Sequence, residues 1–331
     1  MRFLLLCTLL LCTLLLLLGA GCMDQSEEEV TVRVVSAGSM LVPLEAIEEA
    51  YEDLHPEVDI QVEGHGSIQA VRQVTDLNRR FDLVLVADQA LIPDMMYREM
   101  DNGEGQYADS FVPFATNQIV IAYTNQSMYA DEITPDNWYQ ILARPDVHIG
   151  FSNPMLDACG YRALMVTALA GEYYGDEGLF DRMIGDHIHP MATVERSGDG
   201  ISIVLPELLL PEGDKVSIRS GSIYLLALLD AGGIDYVFEY RSVARDHGLH
   251  WIDLPPEIDL SDPQFLDNYK KVRVNLGYQR FESIENIRIG EPIVYAATIP
   301  NNAEKPEHAE QFLEFMIEGI QKGQYGGPEP L

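Results

Sequence analysis

Apolar and polar residues follow one another along the chain in patterns that predict strands alternating with helices. Val30 to Val35 alternates and is rich in β-branched residues, which is typical of a strand, and Leu41 to Tyr51 has the spacing of a helix. Val58 to Val62 is a second predicted strand, Ile68 to Leu77 a helix, and Phe81 to Val86 an apolar third strand. Because strands and helices alternate, the pattern predicts the α/β class with parallel strands.

The same alternation returns later in the chain. The later elements are strands at 119–123, 148–151, 235–240 and 293–297, and helices at 161–173, 223–229 and 303–317. Since 331 residues divide more naturally into two compact units than one, we expect two lobes.

The pattern also suggests how the chain is shared between the lobes. Residues 30–116 together with about 285–331 are assigned to lobe I, and residues 117–255 to lobe II. Residues 256–284 form a crossover region whose assignment stays open. Segments 178–216 and 256–290 are weakly patterned, and we expect loops and short elements there.

Residues 1–22 have the composition of a signal peptide. Arg2 precedes an apolar run from Leu4 to Leu18, which is too short to span a bilayer comfortably. The ending Gly19-Ala20-Gly21-Cys22 resembles a lipoprotein signal, in which Cys22 becomes the acylated N-terminus; a plain secretory signal and an uncleaved anchor are the alternatives. Residues 23–29 then form an acidic tether. We therefore expect a protein outside the cytoplasm, anchored to the outer face of the cell membrane.

Composition narrows the classes of partner. The formal net charge is −32, from 53 acidic and 21 basic residues, which argues against nucleic acid as a partner. Once the signal is removed and Cys22 is acylated, only Cys159 remains in the body, so no disulfide within the chain is expected. A protein this acidic repels anions at long range, so an anion site would depend on hydrogen-bond donors at short range.

Several predicted helices open with a small or polar residue. Ser39 follows Gly38, Ser67 follows Gly66, Asp157 precedes Ala158-Cys159-Gly160, and Ser222 follows Gly221. Helix N-termini offer unpaired N–H groups to anions, and in open α/β sheets they lie at the carboxyl ends of the strands, where ligands bind. Each opening can also be an ordinary helix cap worth about 1 kcal/mol. Together they indicate a two-lobed anion-binding protein.

Six strings occur in order between about residues 30 and 320. They are Ser36-Ala37-Gly38-Ser39-Met40, Gly66-Ser67, and the stretches 87–93, 117–125, 150–162 and 234–242. In combination they resemble the tungstate/molybdate-binding lipoproteins of archaea, the extracytoplasmic solute-binding components of ABC transporters. The resemblance implies a two-lobed periplasmic-binding-protein-like fold of type II, each lobe a mostly parallel sheet flanked by helices, which closes on its ligand by a hinge motion.

The resemblance also implies a ligand site. The residues expected on the oxyanion are Gly38, Ser39, Ser67, Asp157, Tyr240 and Ser222. In the family, an aspartate and a glutamate bring carboxylate oxygens to the metal of the oxyanion. The aspartate matches Asp157, a candidate direct ligand of tungsten or molybdenum, but Ser222 stands where the glutamate is expected. Because the Ser222 hydroxyl can instead hydrogen-bond to a four-coordinate anion, four- and six-coordinate binding both stay open.

The resemblance implies a binding protein without catalysis or cofactor. It would capture tungstate or molybdate, which the sequence does not rank, and deliver the oxyanion as a monomer to a permease with its ATPase. Binding of phosphate or sulfate is the alternative, and Asp157 can accept a phosphate proton. A hydrolase using Ser67 or Ser39 with His65 is the more distant alternative, since no spacing supplies a positioned base. Glycosylation at Asn125 stays open.

Three further groups of residues receive structural interpretations. Asp88 and Gln89 are expected to orient the cleft wall, and Arg162 to be a structural partner of an acid. His187 and His189 are expected to be surface residues, since no second cluster of metal ligands accompanies them.

Overall fold

The computed structural model describes residues 29–103, 105–277 and 286–331. Cys22 and the predicted signal peptide, residues 1–22, lie outside the described residues. Within them, no helix combines the length and the apolar character needed to cross a membrane.

Strands and helices alternate from Val30 to Met96, as the apolar pattern predicted. The strands are β1 (Val30–Ala37), β2 (Val58–His65), β3 (Leu83–Val86), β4 (Val112–Thr116), β5 (Ile119–Tyr123), β6 (Ile149–Ser152), β7 (Ile188–His189), β8 (Thr193–Ser197), β9 (Gly200–Val204), β10 (Leu210–Pro211), β11 (Val216–Arg219), β12 (Tyr236–Tyr240), β13 (His250–Asp253), β14 (Val272–Asn275), β15 (Ile287–Ile289), β16 (Val294–Thr298) and β17 (Glu329–Pro330). The helices are α1 (Leu41–Leu54), α2 (Ser67–Thr75), α3 (Leu91–Met96), α4 (Trp138–Leu142), α5 (Ala158–Tyr173), α6 (Leu179–Met183), α7 (Ile223–Asp230), α8 (Arg241–Asp246), α9 (Leu266–Tyr269) and α10 (Pro306–Gln321). Short 3-10 turns occupy Gly38–Met40, Gly185–His187 and Pro263–Phe265.

Two large sheets organise the molecule. The six-stranded sheet has the order β17-β4-β16-β3-β1-β2, and the five-stranded sheet the order β11-β6-β12-β5-β13. In the first, β1 runs parallel to β2 and β3, whereas β16, β4 and β17 join antiparallel. In the second, β11 and β12 run parallel to β6, whereas β5 and β13 join antiparallel.

The α/β class is therefore confirmed, but both sheets are mixed, so the expectation of mostly parallel strands was wrong. Parallel neighbours need a crossover connection packed on the same sheet. β5 follows β4, a strand of the six-stranded sheet, and β16 follows β15, which also lies outside the sheet that β16 joins. The chain therefore enters β5 and β16 from a different sheet. Without a crossover connection from a neighbouring strand of the same sheet, neither strand has to run parallel to its neighbours.

A further four-stranded sheet lies in segments that the sequence presented as loops and short elements. Its order is β15-β14-β9-β8, and the pair β10-β7 lies apart from it. These strands are short elements, as expected, but their pairing into a sheet was not predicted, because β8 is largely exposed and leaves no continuous apolar run. Residues 287–289, assigned to lobe I, pair with β14 in this sheet.

Helix α5 runs through the centre of the molecule. Its residues from Ala158 to Gly171 are all buried, and it packs against β6 and β12 of the five-stranded sheet and against β14 and β9. A helix that is apolar on every face is held by neighbours all round. The N-terminus of α5, directly after Asp157, is therefore a fixed point between the sheets.

Asp82 ties the start of α10 to β1. Its buried carboxylate accepts hydrogen bonds from the backbone N–H of Arg33 at 2.9 Å, of Glu304 at 2.8 Å and of Lys305 at 2.7 Å. Because one buried carboxylate accepts from all three N–H groups, it stabilises the return of the chain to the six-stranded sheet.

Asp82→Ala is expected to destabilise the protein by about 3 kcal/mol or more, because it leaves three backbone donors without their charged acceptor. Denaturant unfolding of the purified protein measures this loss. Asp53→Ala, at an exposed position of α1, is the matched control and should stay within about 0.5 kcal/mol of wild type. Equal stability of the two variants would contradict this role for Asp82.

Candidate functional site

Helix openings from the two large sheets meet in the middle of the molecule. The Gln69 N–H donates to the Leu156 carbonyl at 3.1 Å, which joins the start of α2 to the segment before α5. A Cβ atom on Gly66 would lie 2.5 Å from that carbonyl oxygen, and one on Gly38 would lie 2.9 Å from Ile223 Cδ1. Glycine at these two positions therefore permits a close approach that a larger residue would block.

The carboxylate of Asp157 lies at the meeting point. Its Oδ1 accepts from the Ser67 N–H at 3.3 Å and its Oδ2 from the Ser222 N–H at 3.1 Å. Burial raises the pKa of Asp157, with only 6% of the residue exposed. Hydrogen bonding with the Ser152 side chain, and with the N–H groups of Ser222, Ser67 and Cys159, opposes that rise. Two helix starts thus hold an anionic group through backbone donors.

The serines of the first half of the chain are buried and hydrogen-bonded. Ser67 Oγ accepts from the Ala87 N–H at 3.1 Å, so its own hydrogen is available for donation. Ser39 Oγ lies 2.8 Å from the hydroxyl of Tyr295, which also accepts from Asn117 Nδ2 at 3.2 Å. Tyr295 was missed in the sequence because it lies in the apolar strand β16, far along the chain. Gly38 opens the 3-10 turn that leads into α1.

Arg162 links Tyr240 to the opposite side of the cleft. Its Nη1 donates to the Tyr240 hydroxyl and to the Ala87 carbonyl, both at 2.7 Å, and its Nη2 lies 3.7 Å from Asp88 Oδ2. Asp88 also accepts a hydrogen bond from Tyr161. Because the Tyr240 oxygen already accepts from the guanidinium, its hydrogen is available for donation.

A separate cavity opens on the far side of Arg162. Its volume is about 170 Å³, and its charged lining residues are Asp88, Asp94, Arg162, Arg288 and Glu291. Acids outnumber arginines there, and Arg288 is paired with Asp94. Both arginines of the cavity are therefore engaged with acids, Arg162 with Asp88 and Arg288 with Asp94.

Glu239 is a second buried acid at the site, and the sequence analysis did not select it. Its Oε1 accepts from the Tyr240 N–H at 2.7 Å and from Ser222 Oγ at 3.0 Å. Burial raises the pKa of Glu239 to about 8, against the hydrogen bonds from Tyr240 and Ser222 and with the help of the Asp157 charge. The signal available in the sequence was an acid between two aromatic residues of an apolar strand.

The site has no arrangement suited to nucleophilic catalysis. The Ser67 and Ser39 hydroxyls bond to Ala87 and Tyr295 rather than to a histidine. Cys159 is buried, and burial holds the pKa of its thiol well above the ordinary value. Across residues 29–103, 105–277 and 286–331, histidine, cysteine and acidic side chains form no group of three or more that could hold a metal ion.

Comparison with known proteins places the chain among solute-binding proteins. Residues 32–320 match the family described as bacterial extracellular solute-binding protein. A molybdate/tungstate-binding protein of Pyrococcus abyssi is 39% identical over 307 residues, covering 91% of this chain and 84% of the relative. An uncharacterized solute-binding protein of Methanococcus maripaludis is 40% identical over 308 residues, covering 90% and 89%.

The fold has counterparts among solved structures. The periplasmic molybdate-binding protein of Azotobacter vinelandii aligns with a TM-score of 0.53 over 89% of this chain and 98% of that protein. The two sequences are 14% identical, so the likeness shows a shared fold and carries no statement about the ligand.

Gly66→Ala is expected to hold the two large sheets further apart, because the added Cβ would meet the Leu156 backbone at 2.5 Å. Small-angle X-ray scattering should then give a larger radius of gyration than for wild type. Gly233→Ala is the matched control, since a Cβ there meets its neighbours at an ordinary 3.4 Å or more. Identical scattering from Gly66→Ala and wild type would contradict the close approach.

Proposed function

The chain belongs to the bacterial extracellular solute-binding protein family, and on that premise we propose that it captures tungstate or molybdate and delivers the oxyanion to an ABC transporter permease. The observation that carries the proposal is the Asp157 carboxylate, held by the N–H groups of Ser67 and Ser222 from opposite sides. Those donors suit an oxyanion as well as a carboxylate. The Pyrococcus abyssi relative is a molybdate/tungstate-binding protein, which supports the choice of metal.

In this proposal, Asp157 occupies the donors while the protein waits for its ligand. An arriving oxyanion takes over the N–H groups of Ser67 and Ser222, and each hydrogen bond to a charged group contributes about 1.5–3 kcal/mol. The hydroxyls of Ser67 and Tyr240 add donors. The proposed oxyanion-binding residues are Gly38, Ser39, Ser67, Asp157, Tyr240 and Ser222.

The carboxylate of Asp157 then needs a new partner, because two anions side by side repel each other. We propose that its released oxygens turn towards the tungsten or molybdenum atom, as the family resemblance implies. Ser222 contributes its backbone N–H rather than its hydroxyl, since the hydroxyl already donates to Glu239.

The two N–H donors, of Ser67 and Ser222, come from different large sheets, and this explains how a ligand would close the protein. Ser67 comes from the segment after β2 of the six-stranded sheet, and Ser222 from the segment after β11 of the five-stranded sheet. A ligand held by both favours the closed form by its difference in affinity between the two forms. The permease and its ATPase would recognise that form. No step requires a covalent intermediate or a cofactor, so the protein acts as a binding protein rather than an enzyme.

The remaining parts of the proposal concern the membrane. Acylation of Cys22 and the acidic tether 23–29 would hold a monomer at the outer face of the membrane. Both lie wholly or mainly outside the described residues, and the lipoprotein-like ending Gly19-Ala20-Gly21-Cys22 supports them.

Isothermal titration calorimetry of the purified protein with tungstate, molybdate, sulfate and phosphate tests the ligand. We expect tungstate and molybdate to bind at least roughly a hundredfold more tightly than the other two, a difference of about 2.8 kcal/mol. The larger anions let donors from both sides reach oxygens of one ligand. If phosphate or sulfate binds tightly and neither tungstate nor molybdate produces heat, the protein is the binding component of a transporter for phosphate or sulfate, and the proposal is wrong.

Tyr240→Phe is expected to weaken tungstate binding about ten- to a hundredfold, because it removes one hydrogen bond to a charged ligand. The same titration measures the change. Tyr269→Phe provides the control: this buried tyrosine donates to the Pro256 carbonyl, away from the site, and its loss should leave the affinity unchanged. Unchanged affinity in Tyr240→Phe would remove that hydroxyl from the site.

A further inference from the structure

Position 222 holds a serine where the family resemblance implies a glutamate, but another acid, Glu239, lies beside Ser222 in space. Ser222, at the start of α7, donates its hydroxyl hydrogen to Glu239 Oε1 at 3.0 Å, although Glu239 lies on β12. The Cys159 thiol, in the first turn of α5, lies 3.9 Å from the same oxygen. The Glu239 carboxyl group is therefore enclosed by the starts of α5 and α7, where the carboxyl end of β12 meets the proposed oxyanion site.

One oxygen of this carboxyl group is free. Oε1 accepts from the Tyr240 N–H and the Ser222 hydroxyl, whereas Oε2 is fully buried and has no hydrogen-bond partner among the described residues. The residue as a whole is 0% exposed. A buried oxygen without a partner is costly, and a ligand is one thing that can satisfy it. Oε2 is thus the atom available for a bound group.

The charged groups around Glu239 determine whether its carboxyl group is protonated or ionised beside a bound tungstate or molybdate dianion. Asp157 is the other acid, and the nearby Cys159 thiol and the hydroxyls of Tyr240 and Tyr295 are kept neutral because burial raises the pKa of each. The cation that contacts Tyr240, Arg162, is engaged with its hydroxyl, with the Ala87 carbonyl and with Asp88. Two ionised acids and a dianion without a free cation would repel one another strongly in this low-dielectric setting. One of the acids must carry a proton.

The inference rests on the proposed function. We propose that Glu239 is an oxyanion-binding residue, which meets the bound tungstate or molybdate as a neutral carboxylic acid and donates the Oε2 hydrogen to one of its oxygens. Oε1 is already saturated by two donors, so the proton belongs on Oε2. Asp157 then remains the single ionised acid at the ligand.

Binding then depends on pH in a defined direction. Burial raises the pKa of Glu239 to about 8, so the neutral form predominates at pH 7 and the ionised form at pH 9. Tungstate itself stays a dianion over this range. Above about pH 8 the protein must take up a proton in order to bind, and the affinity should fall up to about tenfold per pH unit.

Calorimetric titration of the purified full-length protein with sodium tungstate at pH 7 and pH 9 tests the inference. Wild type should bind about tenfold more weakly at pH 9 than at pH 7. Glu239→Gln keeps the shape but donates through an amide, so it should bind several-fold more weakly than wild type at pH 7 and change less than about twofold by pH 9. Glu239→Ala, which cannot donate, should lose about ten- to a hundredfold at pH 7.

Asp259→Asn is the matched control for these variants. Asp259 is also buried, burial raises its pKa to about 6, and its partners are Ser261 and Tyr269 rather than residues of the site. This variant should bind tungstate as tightly as wild type does at pH 7, and as tightly as wild type does at pH 9. Thermal unfolding of every variant checks that the protein is folded.

Two results would overturn the role of Glu239. A tenfold fall in affinity between pH 7 and pH 9 that persists in Glu239→Gln would place the titrating proton elsewhere. Loss of all binding in a folded Glu239→Gln would mean that an ionised carboxylate is required. If wild type binds neither tungstate nor molybdate at pH 7, the proposed function fails before any variant is compared, and this inference fails with it.

Discussion

The hydrogen bonds that Asp157 accepts across the cleft are the constraint on which the site depends. The carboxylate takes the N–H of Ser67 on one side and of Ser222 on the other, and the completely buried helix α5 fixes its position. Helix N-termini carry unpaired donors and the positive end of the helix dipole. An anion between two of them accepts from both. Asp157 fills that role within the chain, and an oxyanion would fill it on binding.

This arrangement explains how a protein of net charge −32 can bind an anion. Surface charges are screened beyond about 8 Å at physiological ionic strength, so their repulsion slows approach more than it weakens a buried complex. The donors act at about 3 Å and are backbone groups that stay in place when solvent is excluded. Arg162 holds Tyr240 and the wall of the cleft. Selectivity then depends on the size of the ligand and the direction of donors.

Features of the structure that depend on residues adjacent in the sequence, such as the starts of helices, could be predicted from the sequence. Ser67, Asp157 and Ser222 were identifiable because small or polar residues at helix openings have a local cause. Glu239 could not be found in this way, since its contact with Ser222 joins two elements 17 residues apart. Strand direction in the two large sheets also depends on long-range connections. The four-stranded sheet was missed because its strands are short and partly exposed, which removes the apolar periodicity.

A crystal structure of the tungstate complex, with the metal located by anomalous scattering, tests the central claim most directly. If tungstate replaces the Asp157 carboxylate at these donors, the crystal should contain a single tungsten site between the starts of α2 and α7. Oxygens of the ligand should lie within hydrogen-bond distance of the N–H groups of Ser67 and Ser222, and the Asp157 carboxylate should have released both. Tungsten in the cavity lined by Arg162 and Arg288, or a complex in which Asp157 keeps both N–H groups, would contradict the account.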